Sequence, residues 1–243
     1  TMAVVSNNAQ YTIQQGADTY IITVNRGDEV ITTDDQTIVQ KAGFPPTTYD
    51  GLPDGIENSG TILFVDGRID SLGGTVQNKT NLTISSESDM VIQSHLYYEN
   101  YTPEAGIPGE TGYVPPTAEG TDNMLGLVAW SGNVRIGTSA PNNINIHATV
   151  LSSNGIFSVD NHEDQGRGPR GTATLLGGAT TNQYGAFGLF NGLTGQQLSG
   201  YGRNFNYDQR MLIGNSPPYF PTLNTFIAYT GDITDKLVWQ EGS

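Results

Sequence analysis

The sequence contains no cysteine among its 243 residues. Without thiols it can form no disulfide, no thiolate metal site and no cysteine nucleophile. It also lacks an apolar run of about 18 residues, the length at which a helix can cross a bilayer. No secretory leader pattern opens the chain, which begins at Thr1. We therefore expect no membrane contact by this segment, and we expect any anchor to lie upstream of it.

Basic residues are scarce, since ten Lys and Arg oppose 24 Asp and Glu for a net charge of −14. A dedicated nucleic-acid-binding domain normally carries a basic stripe, which this composition argues against. The charge is nevertheless uneven, because residues 1–166 carry −15 whereas residues 167–210 hold four arginines and one aspartate. The basic segment indicates either arginines paired with carboxylates at loop edges or one local surface for an anionic ligand.

Helical periodicity is also missing, because no window of a dozen residues keeps apolar side chains at the i, i+3, i+4, i+7 spacing. What the chain has instead is short apolar or alternating runs, separated by many of its 31 Gly and 12 Pro. The runs have four to nine residues and end at Gly, Asn, Ser or Pro, for example in the stretch 124–136. Such runs are typical of strands, so the sequence predicts an all-β protein.

Two stretches, residues 60–70 and 126–136, share one pattern. Each has an apolar run, a polar turn with glycine, and a shorter run with a single arginine. Nearly continuous apolar runs are typical of strands buried in a parallel stack, and two-residue hairpin signals are infrequent here. We therefore predict a right-handed parallel β-solenoid, a β-helix-like domain with long loops, over residues 56–243. A β-sandwich is the alternative that the strand spacing also allows.

Two further regions interrupt or precede this predicted solenoid. Residues 1–55 contain strand-like runs and indicate a small β-hairpin or a pilin-like β region. Residues 97–123 form a long acidic insertion. Loops of this length are often functional, so the insertion is interpreted either as a solvated excursion or as a binding loop. Its candidate contact residues are the tyrosines Tyr97, Tyr98, Tyr101 and Tyr113.

Aromatic residues and arginines alternate through residues 183–221. Exposed aromatic rings beside arginine can stack on bases and contact phosphates of single-stranded nucleic acid. The alternative is that these rings close the end of the solenoid and hide its last apolar coil. The candidate nucleic-acid-binding residues of this basic part of the chain are Arg167, Arg170, Arg203, Arg210, Tyr201 and Tyr207.

Motifs for catalysis or metal binding are not apparent in the sequence. A carbohydrate-active enzyme would need a pair of carboxylates at a set separation, which 24 acidic residues supply too easily to be informative. Asp160, Glu163 and Asp164 offer oxygen donors for calcium, although they lack the order of a dedicated calcium loop. We expect no cofactor, with calcium at these three residues as the one candidate.

Three motifs in the last third of the chain resemble a known family. They are an Arg-Gly-Thr at residues 170–172, an Asn-aromatic-x-Tyr-Asp-x-Arg core at residues 204–210, and Pro-Pro-Tyr-Phe-Pro at residues 217–221. In this order they resemble the C-terminal part of bacterial pilus-associated surface proteins, a family that includes ComZ-type competence minor pilins. The resemblance covers residues 60–240 and is strongest over residues 168–221.

This resemblance implies a non-enzymatic extracellular domain on a bacterial cell surface or type IV pilus. Members look like an extracellular β-solenoid carried by an upstream membrane-anchored helix. The implied roles are pilus assembly, adhesion, or DNA capture during competence, with other pilus subunits and DNA as partners. Two alternatives remain open on the residues alone: a carbohydrate-active β-solenoid enzyme, either a lyase or a hydrolase, and a purely structural surface domain.

Overall fold

A computed structural model describes residues 1–5, 8–25, 35–51 and 62–220 of the chain. Their regular structure is fifteen β-strands and one short 3-10 helix, Gln209–Ile213. The prediction of an all-β protein is therefore confirmed. No helix in these ranges has the length and apolar character to span a membrane.

The first five strands form an antiparallel meander, in which each strand pairs with the next. In the first half of β2 the buried residues Ala9 and Tyr11 alternate with half-buried ones, as expected for a sheet with one packed face. The strands are β1 (Met2–Val5), β2 (Asn8–Gln15), β3 (Asp18–Asn25), β4 (Gln36–Lys41) and β5 (Thr47–Asp50).

The remaining strands pair in parallel, except for β14, which is antiparallel to β15. They are β6 (Ile62–Val65), β7 (Ile69–Val76), β8 (Asn81–Ser86), β9 (Met90–Tyr98), β10 (Met124–Ala129), β11 (Val134–Ile136), β12 (Asn145–Val159), β13 (Pro169–Gln183), β14 (Gly188–Phe190) and β15 (Gln197–Tyr207).

Two parallel ladders run side by side through this region. One ladder is β6–β8–β10–β12 and the other is β7–β9–β11–β12, with β12 long enough to join both. Ile62 pairs with Thr83 and Ile69 with Met90, so both partners lie 21 residues further along the chain. The stretch 60–70 contains β6 and the start of β7, the stretch 126–136 contains most of β10 and all of β11, and the pair β8–β9 lies between them in sequence.

All fifteen strands belong to one mixed sheet, in which β5, β6 and β14 each pair with a single described strand. The sheet does not close on itself in the described part of the chain. The antiparallel meander joins the parallel strands through a single pairing of Met2 with Gly74. Position along this sheet places β13, β14 and β15 at the end opposite the meander.

The core lies between the two ladders and is built from their inward-facing side chains. Burial of a Leu or Ile side chain stabilises the fold by about 1.5–3 kcal/mol, so the ladders supply most of the apolar stabilisation. The largest fully buried aliphatic side chains are Ile84, Met90, Ile92, Leu96, Leu125, Leu127, Ile136, Ile144, Ile146 and Leu175.

The outer face of β10 is buried as well, because residues 208–220 cross it. We call these residues the C-terminal strap. The strap contacts β12 through Met211, whose sulfur lies 3.4 Å from the hydroxyl of Thr149. It then reaches β8, where the Thr83 hydroxyl donates a hydrogen bond to the carbonyl oxygen of Pro218. The Pro-Pro-Tyr-Phe motif thus belongs to a segment that packs on the outer face of the β6–β8–β10–β12 ladder, at β8, β10 and β12.

Gly126 in β10 is the residue that lets the strap approach this closely. A Cβ there would lie 2.8 Å from a ring carbon of Phe220 and 2.9 Å from the Cβ of Pro217. Both separations are shorter than van der Waals contact, so the strap and a larger side chain cannot occupy the same space.

Replacing Gly74 with alanine is expected to lower the free energy of unfolding by about 1–3 kcal/mol. Gly74 has a φ of +122°, and a Cβ there would overlap the carbonyl oxygen of Met2, its partner across the single pairing between meander and parallel strands. Urea denaturation measures the effect. Gly192→Ala is the control, because nothing lies within 4 Å of a Cβ at Gly192. Equal stability of the two variants would contradict the prediction.

Candidate functional site

An open groove lies at the end of the sheet formed by β13 and β15. Its volume is about 300 Å³. Aromatic rings, small residues and one arginine make up its walls, and no carboxylate lines it in the part of the chain that the structure describes. The lining residues are Phe157, Leu175, Gly177, Gly178, Ala179, Thr181, Tyr184, Gly185, Phe187, Arg203, Phe205, Asn206 and Tyr207.

The alternation of side chains along β15 creates one wall of this groove. Arg203, Phe205 and Tyr207 share one face of the strand, because successive residues point to opposite sides. Phe205 and Tyr207 remain 45% and 48% exposed. In register, Leu175 of β13 pairs with Phe205 and is itself buried. The last strand of the parallel stack therefore presents apolar side chains to solvent where earlier strands bury theirs.

Three phenylalanines form the floor. The rings of Phe157 and Phe187 meet edge to face at 5.1 Å between centroids, and Phe187 meets Phe205 in the same way at 5.4 Å. Edge-to-face pairs at this spacing contribute about 0.5–1.5 kcal/mol beyond their buried area. The floor is therefore a packed aromatic cluster that holds the exposed edge of Phe205 in place.

Arg203 lies over two aromatic rings at the mouth of the groove. Its guanidinium carbon is 4.7 Å from the centre of the Tyr184 ring and 5.7 Å from that of Phe187. Tyr184 is 72% exposed. No described carboxylate lies within ion-pair distance of Arg203. A cation fixed on an aromatic face, with its charge unpaired, can contact an anionic group of a ligand whose flat part stacks on Tyr184.

The other predicted arginines are not part of this groove. Arg167 is exposed and donates a hydrogen bond to the carbonyl oxygen of Thr138. Arg170 is buried, donates to the carbonyl oxygen of Ala140, and lies 4.7 Å over the ring of Tyr201. The four arginines therefore do not present one basic surface, since burial removes the side chain of Arg170 from solvent.

Tyr201 and Tyr207 have different surroundings although both lie on β15. Tyr201 is fully buried, and its hydroxyl donates a 2.7 Å hydrogen bond to the carbonyl oxygen of Pro141. Burial raises the pKa of Tyr201. Of the two predicted tyrosines, Tyr207 alone lines the groove.

Arg210 is the least accessible of the predicted arginines. It is 5% exposed and forms a two-pronged ion pair with Asp208, with N–O distances of 3.0 and 2.6 Å. Its remaining guanidinium nitrogen donates to the carbonyl oxygens of Thr121 and Asn123. These two residues close the acidic insertion, so Arg210 fastens the insertion to the start of the C-terminal strap.

The tyrosines predicted as loop contacts pack against the sheet. Tyr98 is 1% exposed, and its hydroxyl accepts a hydrogen bond from the backbone N–H of Leu125. Tyr97 stacks on Tyr101 with centroids 5.3 Å apart, and Tyr101 meets the His147 ring edge to face at 4.3 Å. Burial raises the pKa of Tyr98 and Tyr101. These three tyrosines hold the base of the insertion instead of standing free in solvent.

The insertion also contacts the last parallel strand. Tyr113 donates a 2.7 Å hydrogen bond to Glu104 within the insertion, and Asn204 of β15 donates to the same Glu104 oxygen at 2.9 Å. The sequence did not predict a contact between Glu104 and Asn204, because the two residues are 100 positions apart. The insertion therefore bridges from β9 to β15 across the outer face of the sheet.

His147 of β12 is buried beneath the insertion, against Tyr101. Its Nδ1 accepts a 3.0 Å hydrogen bond from the backbone N–H of Tyr98, and its Nε2 has no partner in the described structure. Burial lowers the pKa of His147 to about 3, and the charge of Arg210 acts in the same direction. The imidazole is therefore neutral under ordinary conditions.

The acidic residues proposed for calcium do not converge in the described structure. Asp160 forms a 2.9 Å ion pair with Arg135, which also binds Asp89 at 3.0 Å. Glu163 lies near His162, and Asp164 accepts a hydrogen bond from the backbone of its own turn. Within the described ranges no group of three or more His, Asp or Glu side chains is placed to hold a metal ion.

Comparison of the chain with protein-family models, curated proteins and solved structures gave no match.

Proposed function

We propose that this chain is a non-enzymatic extracellular domain of a type IV pilus-associated, minor-pilin-like protein. The groove at Arg203 is its contact site for single-stranded DNA. The location and the pilus context come from the motifs at residues 170–172, 204–210 and 217–221, which resemble that family. Other pilus subunits and an upstream anchor are part of the same proposal.

The scaffold of this proposal is a right-handed β-solenoid built from the parallel strands. Two side-by-side ladders with steps of 21 residues at Ile62 and Ile69 support this interpretation. Gly126 pairs with Thr149 and Val134 with Phe157, a step of 23 residues in both ladders. Equal steps in two ladders are what stacked coils require, and parallel crossovers are right-handed in nearly all proteins.

The observation that carries the DNA proposal is Arg203, which has no carboxylate partner in the described ranges and lies on the face of the exposed Tyr184, beside Phe205 and Tyr207. Single-stranded nucleic acid is bound by aromatic platforms for its bases and by cations for its phosphates. The groove lining offers aromatic rings on which bases can stack and one cation that can contact a phosphate. One arginine supplies little phosphate affinity, so binding is expected to depend mainly on stacking.

Tyr184→Ala is expected to weaken binding of a fluorescent oligothymidylate by about 1–3 kcal/mol, roughly 5- to 150-fold in Kd. Arg203→Glu is expected to weaken it at least about tenfold, because it replaces an attractive charge with a repulsive one. The slope of log Kd against log salt should fall by about 0.7 in Arg203→Glu, the value for one phosphate contact on a single strand. Fluorescence anisotropy titrations at low salt give the two Kd ratios, and repeating them over a series of salt concentrations gives the slope.

Arg68→Glu is the matched control for Arg203→Glu. It makes the same change of charge at an exposed arginine on the β6–β7 turn, where Arg68 is paired with Asp70 at 2.6 Å. Its Kd should equal that of the wild type. If the wild type fails to bind at low salt, or if Arg68→Glu weakens binding as much as Arg203→Glu, the groove is not a DNA site. A purely structural role would then be favoured.

A further inference from the structure

Two of the three histidines in the chain lie on the outer face of neighbouring strands, β9 and β12. Ile146 of β12 pairs in register with Leu96 of β9, and both side chains are buried in the core. Because side chains alternate along a strand, the adjacent residues His147 and His95 point to the outer face. They therefore share one surface, at the place where the insertion leaves β9.

Each of these histidines accepts a hydrogen bond from the main chain of the other strand. The Nδ1 of His147 accepts from the backbone N–H of Tyr98 at 3.0 Å. The Nδ1 of His95 accepts from the backbone N–H of Asn145, also at 3.0 Å. An imidazole nitrogen, instead of a carbonyl oxygen, therefore closes each of these two links between β9 and β12.

Both links require neutral imidazoles. In a neutral imidazole that accepts a hydrogen bond at Nδ1, the ring proton is on Nε2. A second proton has to enter at Nδ1, where it meets the N–H that is already bound there. Both ring nitrogens of a charged imidazole are donors, so protonation breaks the link. A carbonyl acceptor in the same place would not respond to pH.

Two tyrosines at the base of the insertion keep water from these imidazoles. Tyr97 stacks on His95 with ring centroids 5.0 Å apart, and Tyr101 meets His147 at 4.3 Å. His147 is 0% exposed, and its Nε2 has no hydrogen-bond partner among the described residues. A charged imidazole needs water or another partner at this nitrogen, so Tyr101 has to move before His147 can stay protonated.

The C-terminal strap supplies no net charge to a protonated His147. Burial lowers the pKa of His147, while Asp208 raises it and Arg210 lowers it, and these two residues form an ion pair with each other at 2.6 Å. The titratable and charged groups that face His147 in the described structure are His95, Tyr97 and Tyr98 of β9, Tyr101 of the insertion, and Asp208 and Arg210 of the strap.

We propose that His95 and His147 form an acid-sensitive latch between β9 and the strand beside it, β12. While both imidazoles are neutral, the latch holds the base of the insertion, residues 97–101, on the sheet. Protonation opens the latch and frees this base, whereas the far end of the insertion stays attached through Arg210. The latch does not depend on the proposed DNA site, because neither histidine lines the groove.

The direction of the response follows from the two pKa values. In the closed form burial lowers the pKa of His95, and it lowers that of His147 to about 3. In the open form both histidines titrate near their usual pKa of about 6.5. The open form therefore binds more protons and gains population as pH falls below about 6.5. His147 alone raises the ratio of open to closed form roughly 70-fold between pH 7 and pH 4.5.

Hydrogen exchange of the full chain, followed by NMR at pH 7 and pH 4.5, tests the latch. The amide of Tyr98 should lose protection roughly 70-fold at pH 4.5, after correction for the intrinsic exchange rate, and that of Asn145 should lose protection with it. Amides of β10 should stay more protected than these two at both pH values. Unchanged protection of Tyr98, or protection at pH 4.5 equal to that of β10, would overturn the proposal.

Replacing both histidines with glutamine, His95→Gln with His147→Gln, keeps an acceptor oxygen at each position and removes both titrating groups. Protection of the Tyr98 amide in this variant should change less than about threefold between the two pH values. His162→Gln is the matched control, since the third histidine lies in a surface turn, and it should keep the full change. A full response in the double variant would refute the latch.

Glu104→Gln separates the imidazoles from the carboxylate that binds Asn204 of β15. The carboxylate also titrates in acid, and it holds another part of the insertion. The pH response of the Tyr98 amide should persist in Glu104→Gln. Its disappearance would assign the response to the carboxylate and overturn the role of the histidines.

The tautomers of the wild-type protein give a measurement that needs no variant. Long-range ¹H–¹⁵N correlation spectra at pH 7 should show both His95 and His147 neutral, with the proton on Nε2. A proton on Nδ1 of either histidine at this pH would be incompatible with the two links and would overturn the latch.

Discussion

Replacing Arg210 with alanine is expected to lower the free energy of unfolding by about 3–5 kcal/mol. The substitution leaves the Asp208 carboxylate, which is 2% exposed, without its ion-pair partner in a buried position. It also removes the donor that binds the carbonyl oxygens of Thr121 and Asn123. A buried charge or acceptor without a partner costs far more than a surface contact, so the insertion and the strap lose their common attachment.

Urea denaturation of Arg210→Ala beside Arg203→Ala measures this effect. Arg203 is exposed, and its contacts with described residues are to aromatic rings, so its removal should cost about 1 kcal/mol or less. The double variant Asp208→Leu with Arg210→Met removes both charges together and should be more stable than Arg210→Ala. Equal losses in the two single variants would show that Arg210 does not hold the insertion.

Acidification is expected to destabilise the protein through His147. The pKa of this residue is lowered from 6.5 to about 3 by burial, with Arg210 and His95 acting in the same direction and Asp208 opposing them. Between these two pH values the unfolded state binds one proton more than the folded state. The His147 contribution is therefore fully present above about pH 6.5 and is lost as pH falls toward 3, by about 1.4 kcal/mol per pH unit.

The free energy of unfolding of wild type and His147→Gln, measured from pH 7 to pH 4, tests this linkage. The profile of His147→Gln should be flatter by up to about one proton, although the variant is less stable at pH 7 because it disturbs a packed site. His162→Gln is the control, because His162 lies in a surface turn with a side chain 28% exposed. Parallel profiles for wild type and His147→Gln would contradict the burial of a neutral imidazole.

Local patterns in the sequence were sufficient to predict that the fold is all-β. Runs such as residues 124–129 are continuous, apolar and short, and a parallel strand buried on both faces requires this composition. The similarity of residues 60–70 and 126–136 likewise indicated two equivalent strand pairs, since β6 and β10 belong to one ladder and β7 and β11 to the other. Such features depend on side chains close together in sequence, which is why they can be predicted without coordinates.

The candidate site could be predicted only in part, and the arginines show why. Arg203, Tyr207 and Tyr184 come from the segment singled out for its aromatic and basic residues, and they do line one groove. Arg170 and Arg210 belong to the basic segment of residues 167–210, which also contains Arg203, yet both are buried. The sequence shows which charged side chains are present. Whether each is exposed depends on contacts with distant residues, such as that of Arg210 with Thr121, 89 positions away.

By itself, the sequence determined that this protein is built from short β-strands, that it has no thiol chemistry, and that residues 167–210 carry a net positive charge in an otherwise acidic chain. These properties depend on residue type and near neighbours. Tertiary structure alone decided that the insertion packs on the sheet through Tyr98 and Arg210, and that Arg203 lies over Tyr184 with no carboxylate partner among the described residues. The physical reason is burial: whether a charge or a ring is free to bind depends on what the fold brings to cover it.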